Sequence, residues 1–219
     1  MLRDIINSAL TENDFELIHQ SDFTSYYVSE QGDAVRFSIL HQMTSLPTPE
    51  ELNSEVTQNA PSSFIEHPAF KKNCDLICIF KLETLSGFKD IEDSIFSIEE
   101  DPYHYKKYVL YYSDSEEQLL SNASYKDIID TISDKKQFDD YKDKPLAPSM
   151  YSIAAKVFIK LPFLKLPFKK RELVPLKQQA LEVVSESGLN HYYDLIQKNS
   201  DIQKTITDLI NHELENIPD

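Results

Sequence analysis

Glycine is scarce in this chain: Gly32, Gly87 and Gly188 are the three among 219 residues, and the two nearest stand 55 positions apart. A loop that cradles phosphate brings its backbone against the ligand, which needs closely spaced residues without side chains. Walker loops, dinucleotide fingerprints and nucleophile elbows are therefore excluded. Cysteine is scarcer still, with Cys74 and Cys78 in one apolar run. On a strand they would sit about 13 Å apart on one face, whereas a disulfide needs Cα atoms within roughly 7 Å. Both read as reduced core thiols.

The six histidines are dispersed, none within five positions of another histidine or of a cysteine, so no zinc spacing is present. No cofactor-binding motif is legible. No apolar run approaches the ~20 residues of a membrane helix. The opening Met1-Leu2-Arg3-Asp4-Ile5-Ile6 is broken by Asp4 and Asn7, which suits an amphipathic helix and not a signal peptide. The expected location is the cytoplasm, with no membrane contact.

What the chain has in plenty is acid and apolar surface. Its formal charge is −15 and its hydrophobic content 41%, enough to fold a core and to repel nucleic acid at long range. Residues 2–12 place Leu2, Ile5, Ile6, Ala9 and Leu10 on one helical side. Strand-like runs follow at 15–18, 26–28 and 34–40, with Gly32 in a hairpin turn. Pro47 and Pro49 then break the chain, and Thr48 with Glu51 has capping-box spacing for a helix from about 50 to 59. Residues 75–82 are a strand covered on both faces. A helix over 87–100 carries Phe88, Ile91, Ile95 and Phe96, and Asp101-Pro102 ends it. A strand at 107–112 and a helix capped by residues 113–117 close this part.

The fold class is α+β: an N-terminal mixed or antiparallel sheet with flanking helices, followed by an all-helical C-terminal segment. The expected division is a sheet domain over 1–133, a polar, proline-containing connection over 134–148, and a helical region over 149–219. Helices are expected there at about 149–159, 175–187, 190–198 and 201–215.

Two constellations invite chemistry. Asp75, Lys81 and Glu83 flank the apolar strand, as the acids and lysine of a metal-dependent nuclease would. However, Ile79 stands where a second carboxylate belongs. The acidic run 98–101 can pair with Lys106 and Lys107; as exposed pairs these would contribute roughly 0–1 kcal/mol.

A third segment repeats itself: Lys160-Leu161-Pro162-Phe163, then Leu164, then Lys165-Leu166-Pro167-Phe168, followed by Lys169-Lys170-Arg171. Over 160–177 six cations face one carboxylate, Glu172. Its prolines forbid a regular helix. The loop can meet an acidic partner surface, meet a nucleic-acid backbone, or plug the core with its aromatics.

Residues 98–112, Ile-Glu-Glu-Asp-Pro-Tyr-His-Tyr-Lys-Lys-Tyr-Val-Leu-Tyr-Tyr, resemble the middle component of ABC-three-component bacterial conflict systems, the group that includes Lamassu defence. The shared pattern is an acidic pair before a break, an aromatic-basic cluster, then Lys-Tyr-Val and a further aromatic. The resemblance implies a small, non-catalytic adaptor between an SMC-like ABC ATPase and an effector nuclease, with DNA contact indirect or minor. Partner-contact candidates are Phe163, Leu164, Phe168, Lys169, Lys170 and Arg171 in the basic loop. Tyr103, Tyr105, Lys106, Lys107 and Tyr108 are the candidates in the aromatic-basic segment. The alternatives are a degenerate metal-dependent nuclease and an acidic DNA-mimic inhibitor.

Overall fold

The computed structural model describes residues 1–32, 34–145, 147–167, 175–198 and 201–215. The chain forms two compact units, residues 1–168 and 169–219.

Unit 1 opens with α1 (Leu2–Glu12), which buries the five apolar residues at i, i+3, i+4, i+7 and i+8. Strands β1 (Glu16–Gln20), β2 (Thr24–Gln31) and β3 (Ala34–Met43) form the expected antiparallel meander. Gln31 pairs with Ala34, and Gly32 takes φ 61° in the turn between. Then α2 (Pro49–Gln58), begun by the Thr48–Glu51 capping box, and α3 (Ser62–Ile65) carry the chain back. As a result β4 (Cys74–Leu82) lies parallel to β3. A second crossover through α4 (Phe88–Glu99) sets β5 (Lys106–Ser113) parallel to β4. The sheet is mixed, in the order β1-β2-β3-β4-β5.

β4 explains its own composition. Leu76 and Cys78 point into one apolar cluster with Leu52 and Val56 of α2 and Ile95 and Ile98 of α4. Ile77 and Ile79 point into the other, with α1, α6 (Tyr125–Ser133) and α8 (Met150–Lys160). A strand covered twice has no polar face to show. Both cysteines are free and buried, and burial pushes their thiols up. On α4, Ile98 takes the core place expected of Phe96, which is exposed.

The region beyond β5 differs from the expected division. α5 (Asp114–Leu119) starts from a Ser113–Glu116 capping box, α6 from a Ser124–Asp127 box, and α7 (Lys135–Asp143) from Asp134. The segment expected to be a connection is thus largely helix. Phe138 and Tyr141 of α7 lay their rings 5.6 and 5.3 Å from Tyr151. α8 belongs to the first unit, because Glu116 of α5, fully buried, accepts Lys156 Nζ at 2.7 and 2.8 Å and Ser152 Oγ at 2.9 Å. A buried carboxylate needs such partners.

Unit 2 contains α9 (Leu176–Glu186), α10 (Asn190–Lys198) and α11 (Ile202–Glu215). Gly188, at φ 69°, turns the chain between α9 and α10, and the His191 ring lies 4.1 Å from that of His212, tilted by 32°.

Candidate partner-binding surface

The segment joining α4 to β5 is built around one buried ammonium. Lys107 is 4% exposed. Its Nζ meets Asp101 Oδ2 at 2.7 Å and donates to the carbonyls of Tyr103 at 2.6 Å and Tyr105 at 3.2 Å. All three donors of the ammonium are thereby used. Asp101 also accepts from Asn53 Nδ2 at 3.0 Å. Burial pushes the Asp101 carboxyl up, but Lys107 and Asn53 outweigh it and hold it below the ordinary carboxylate range. The pair expected to be exposed and weak is therefore buried. Its cation is Lys107, which shares the inward parity of Tyr105 and Val109, whereas Lys106 points to the other side and stays exposed.

Tyr105 is core as well. Its hydroxyl lies 2.7 Å from Thr57 Oγ1, its ring is 5.5 Å from Phe70, and burial pushes its phenol up to about 12. Glu99 closes the outer edge of β5, accepting from the Val109 amide at 2.7 Å and from Lys160 Nζ at 2.5 Å. An edge strand otherwise presents unpaired backbone groups.

Between these anchors the chain turns outward. His104 holds φ 66°, a conformation uncommon outside glycine. Tyr103 is 70% exposed, and His104 and Lys106 are exposed beside it. Burial and the cations of Lys71 and Lys107 lower the His104 pKa, so near pH 7 the imidazole is neutral. An open groove of ≈ 470 Å³ runs alongside, lined by Asn53, Thr57 and Lys71 together with Asp101, Tyr103 and His104. The buried anchors make a rigid mount, and the tip offers an aromatic ring, an imidazole and an ammonium to whatever approaches.

The remaining candidates divide. Tyr108 is half-buried. Phe163 is in the core, its ring 5.2 Å from Phe15, so the first part of the basic loop plugs the apolar cluster. Leu164 packs half-buried against the same cluster. Phe168, Lys169, Lys170 and Arg171 lie outside the described residues.

The nuclease constellation is not assembled. Asp75 Oδ2 accepts from Arg36 Nε and Nη2 at 2.9 and 2.7 Å. Lys81, six residues along β4 and so about 20 Å away, pairs with Asp114 at 2.7 Å and Glu117 at 2.5 Å. Among the described residues no group of three or more His, Cys, Asp or Glu could hold a metal ion, and none of their helices is long and apolar enough to cross a membrane.

Residues 36–136 match the ABC-three component (ABC-3C) system Middle Component 1 family. The matched span of the Middle Component 1 family runs from Arg36 in β3 to Lys136 in α7 and takes in the whole 98–112 segment. The residues that carried the resemblance are the ones that build the mount: Glu99 at the strand edge, Asp101 on Lys107, Tyr105 in the core. No curated protein and no solved structure matches the chain.

Sequence reading missed the buried network of Glu116, Ser152 and Lys156. Its local signal was the capping spacing of Ser113 and Glu116; nothing in the spacing pointed to Lys156, 40 residues on.

Proposed function

We propose that this chain is a non-catalytic adaptor, the middle component of a cytoplasmic ABC-three-component defence assembly of the Lamassu type. In this reading it joins an SMC-like ABC ATPase to an effector nuclease. The observation that carries the reading is the Middle Component 1 match over 36–136, whose span contains the mounted tip Tyr103-His104-Lys106. Exposed aromatic and cationic side chains on a rigid support are what a protein interface uses as anchors. The net charge of −15 supports protein partners over direct DNA contact.

The test is co-expression of the full chain with the other two components of its system, followed by affinity purification. Tyr103→Ala combined with Lys106→Glu should weaken recovery of a partner about tenfold or more while leaving thermal unfolding unchanged. Undiminished recovery of both partners would remove the tip from the interface. Failure of the wild-type chain to recover either would refute the adaptor reading.

A further inference from the structure

The sequence carries the tetrad Lys-Leu-Pro-Phe twice, at 160–163 and 165–168. The first copy is seated inside the molecule. Lys160 Nζ meets Glu99 Oε1 at 2.5 Å. Leu161 is 0% exposed, and Phe163 packs on Phe15 within the cluster formed by α1, α6, α8 and one face of the sheet. Pro162 stays exposed between them. The first copy thus has a carboxylate for its lysine, Glu99 at the outer edge of β5, and an apolar recess for the residues that follow, and the proline, with its fixed φ, stands between the two apolar side chains that enter it.

The second copy has the same composition, and its first two residues are seated differently. Lys165 is exposed and makes no ion pair among the described residues. Leu166, the counterpart of buried Leu161, is 59% exposed. Lys165 and Leu166 carry the inference; Phe168 lies outside the described residues. An exposed leucine following a free ammonium, in a tetrad whose twin shows what it fits, describes a ligand as much as a loop.

We infer that Lys165-Leu166 is a docking motif for a partner surface built like the first tetrad's seat: an Asp or Glu at the edge of an apolar recess. This rests on the adaptor reading and names the chemistry of one of its contacts. Two features favour a protein seat over a nucleic-acid backbone. Phosphate offers the lysine an anion but the leucine no apolar recess, and the charge of −15 opposes a polyanion. Nucleic-acid capture by this segment is an outcome of the test.

The experiment uses the full chain co-expressed with both other components. A photo-crosslinking residue at position 166 should join a partner segment containing an Asp or Glu. Leu166→Asp and Lys165→Glu should each weaken the complex about tenfold or more. Reversing the mapped partner carboxylate to lysine should restore binding of Lys165→Glu. Neither variant should change thermal unfolding, since both side chains face solvent. If the wild type assembles and the variants assemble equally well, this inference falls and the adaptor reading stands. If the wild type recovers no partner, both fall. A crosslink within the chain's own unit 1, a loss of folding in either variant, or a crosslink to nucleic acid alone would each overturn the docking motif.

Discussion

Lys107 shows how much of a degenerate motif can be interior architecture. A charge taken from water is tolerated when it is paired and its remaining donors are satisfied, and here one carboxylate and two carbonyls do so. Removing one partner leaves the other charged and buried. Lys107→Ala should therefore cost about 3–5 kcal/mol in urea unfolding, while Lys106→Ala, on exposed ground, should stay within about 0.5 kcal/mol. Equal effects would show that the ammonium is not buried as described.

His41 and Asp101 are among the titrating groups that shape the acid side of the stability curve. Burial lowers the His41 pKa, with Glu55 pulling the other way and Arg3 adding to the fall. Thr24 Oγ1 lies 2.8 Å from its Nδ1. A depressed histidine means that the unfolded chain takes up the proton first as pH falls through about 6.5. Stability should decline from there downward, and His41→Gln should flatten that slope between pH 7.5 and 5. Asp101 acts lower. Its carboxyl is held below the ordinary value, so its contribution is whole above about pH 4 and lost beneath it. Asp101→Asn should remove its own share of that acid limb, measured as the urea midpoint against pH.

At the scale of elements, what was legible in the sequence follows contact distance along the chain. α1, the hairpin with Gly32 and the capping boxes at Thr48 and Ser113 are local, and periodicity and cap spacing recover them. β4 was legible because burial on both faces writes itself as an unbroken apolar run. α6 and α7 were not read: α6 offers only nine residues for its stripe, and α7 is so rich in lysine and aspartate that its Phe138 and Tyr141 did not stand out. The tethers of α8, Lys156 to Glu116 and Lys160 to Glu99, span 40 and 61 residues. Local patterns carry no record of such pairs.

The candidate surface divides the same way. Tyr103 and Lys106 are exposed, whereas Tyr105, Lys107 and Phe163 are drawn inward by long-range packing. That contrast is measurable on the basic loop. Phe163→Ala should cost about 3–5 kcal/mol, and Leu166→Ala less than about 0.5 kcal/mol, although each residue sits in a copy of one tetrad.

On the scale of the whole molecule, the two units differ in what holds them. Both apolar clusters are drawn from residues 2–164. In residues 169–219, Thr205 is the one buried residue among those described, while Leu176, Val183, Ile196, Ile202, Ile206 and Ile210 are exposed. A unit of about fifty residues is near the lower limit for an independent core, and this one keeps its apolar stripes outside. A chain ending at residue 168 should therefore unfold as one cooperative transition with a midpoint within a few degrees of the full chain. Calorimetry on the two would settle it, and a large drop for the shorter chain would mean that unit 2 contributes to the fold of unit 1. The same pair separates stability from assembly. If the short chain keeps its midpoint but recovers less partner on co-expression, unit 2 serves binding, and its exposed isoleucines have a reason to be where they are.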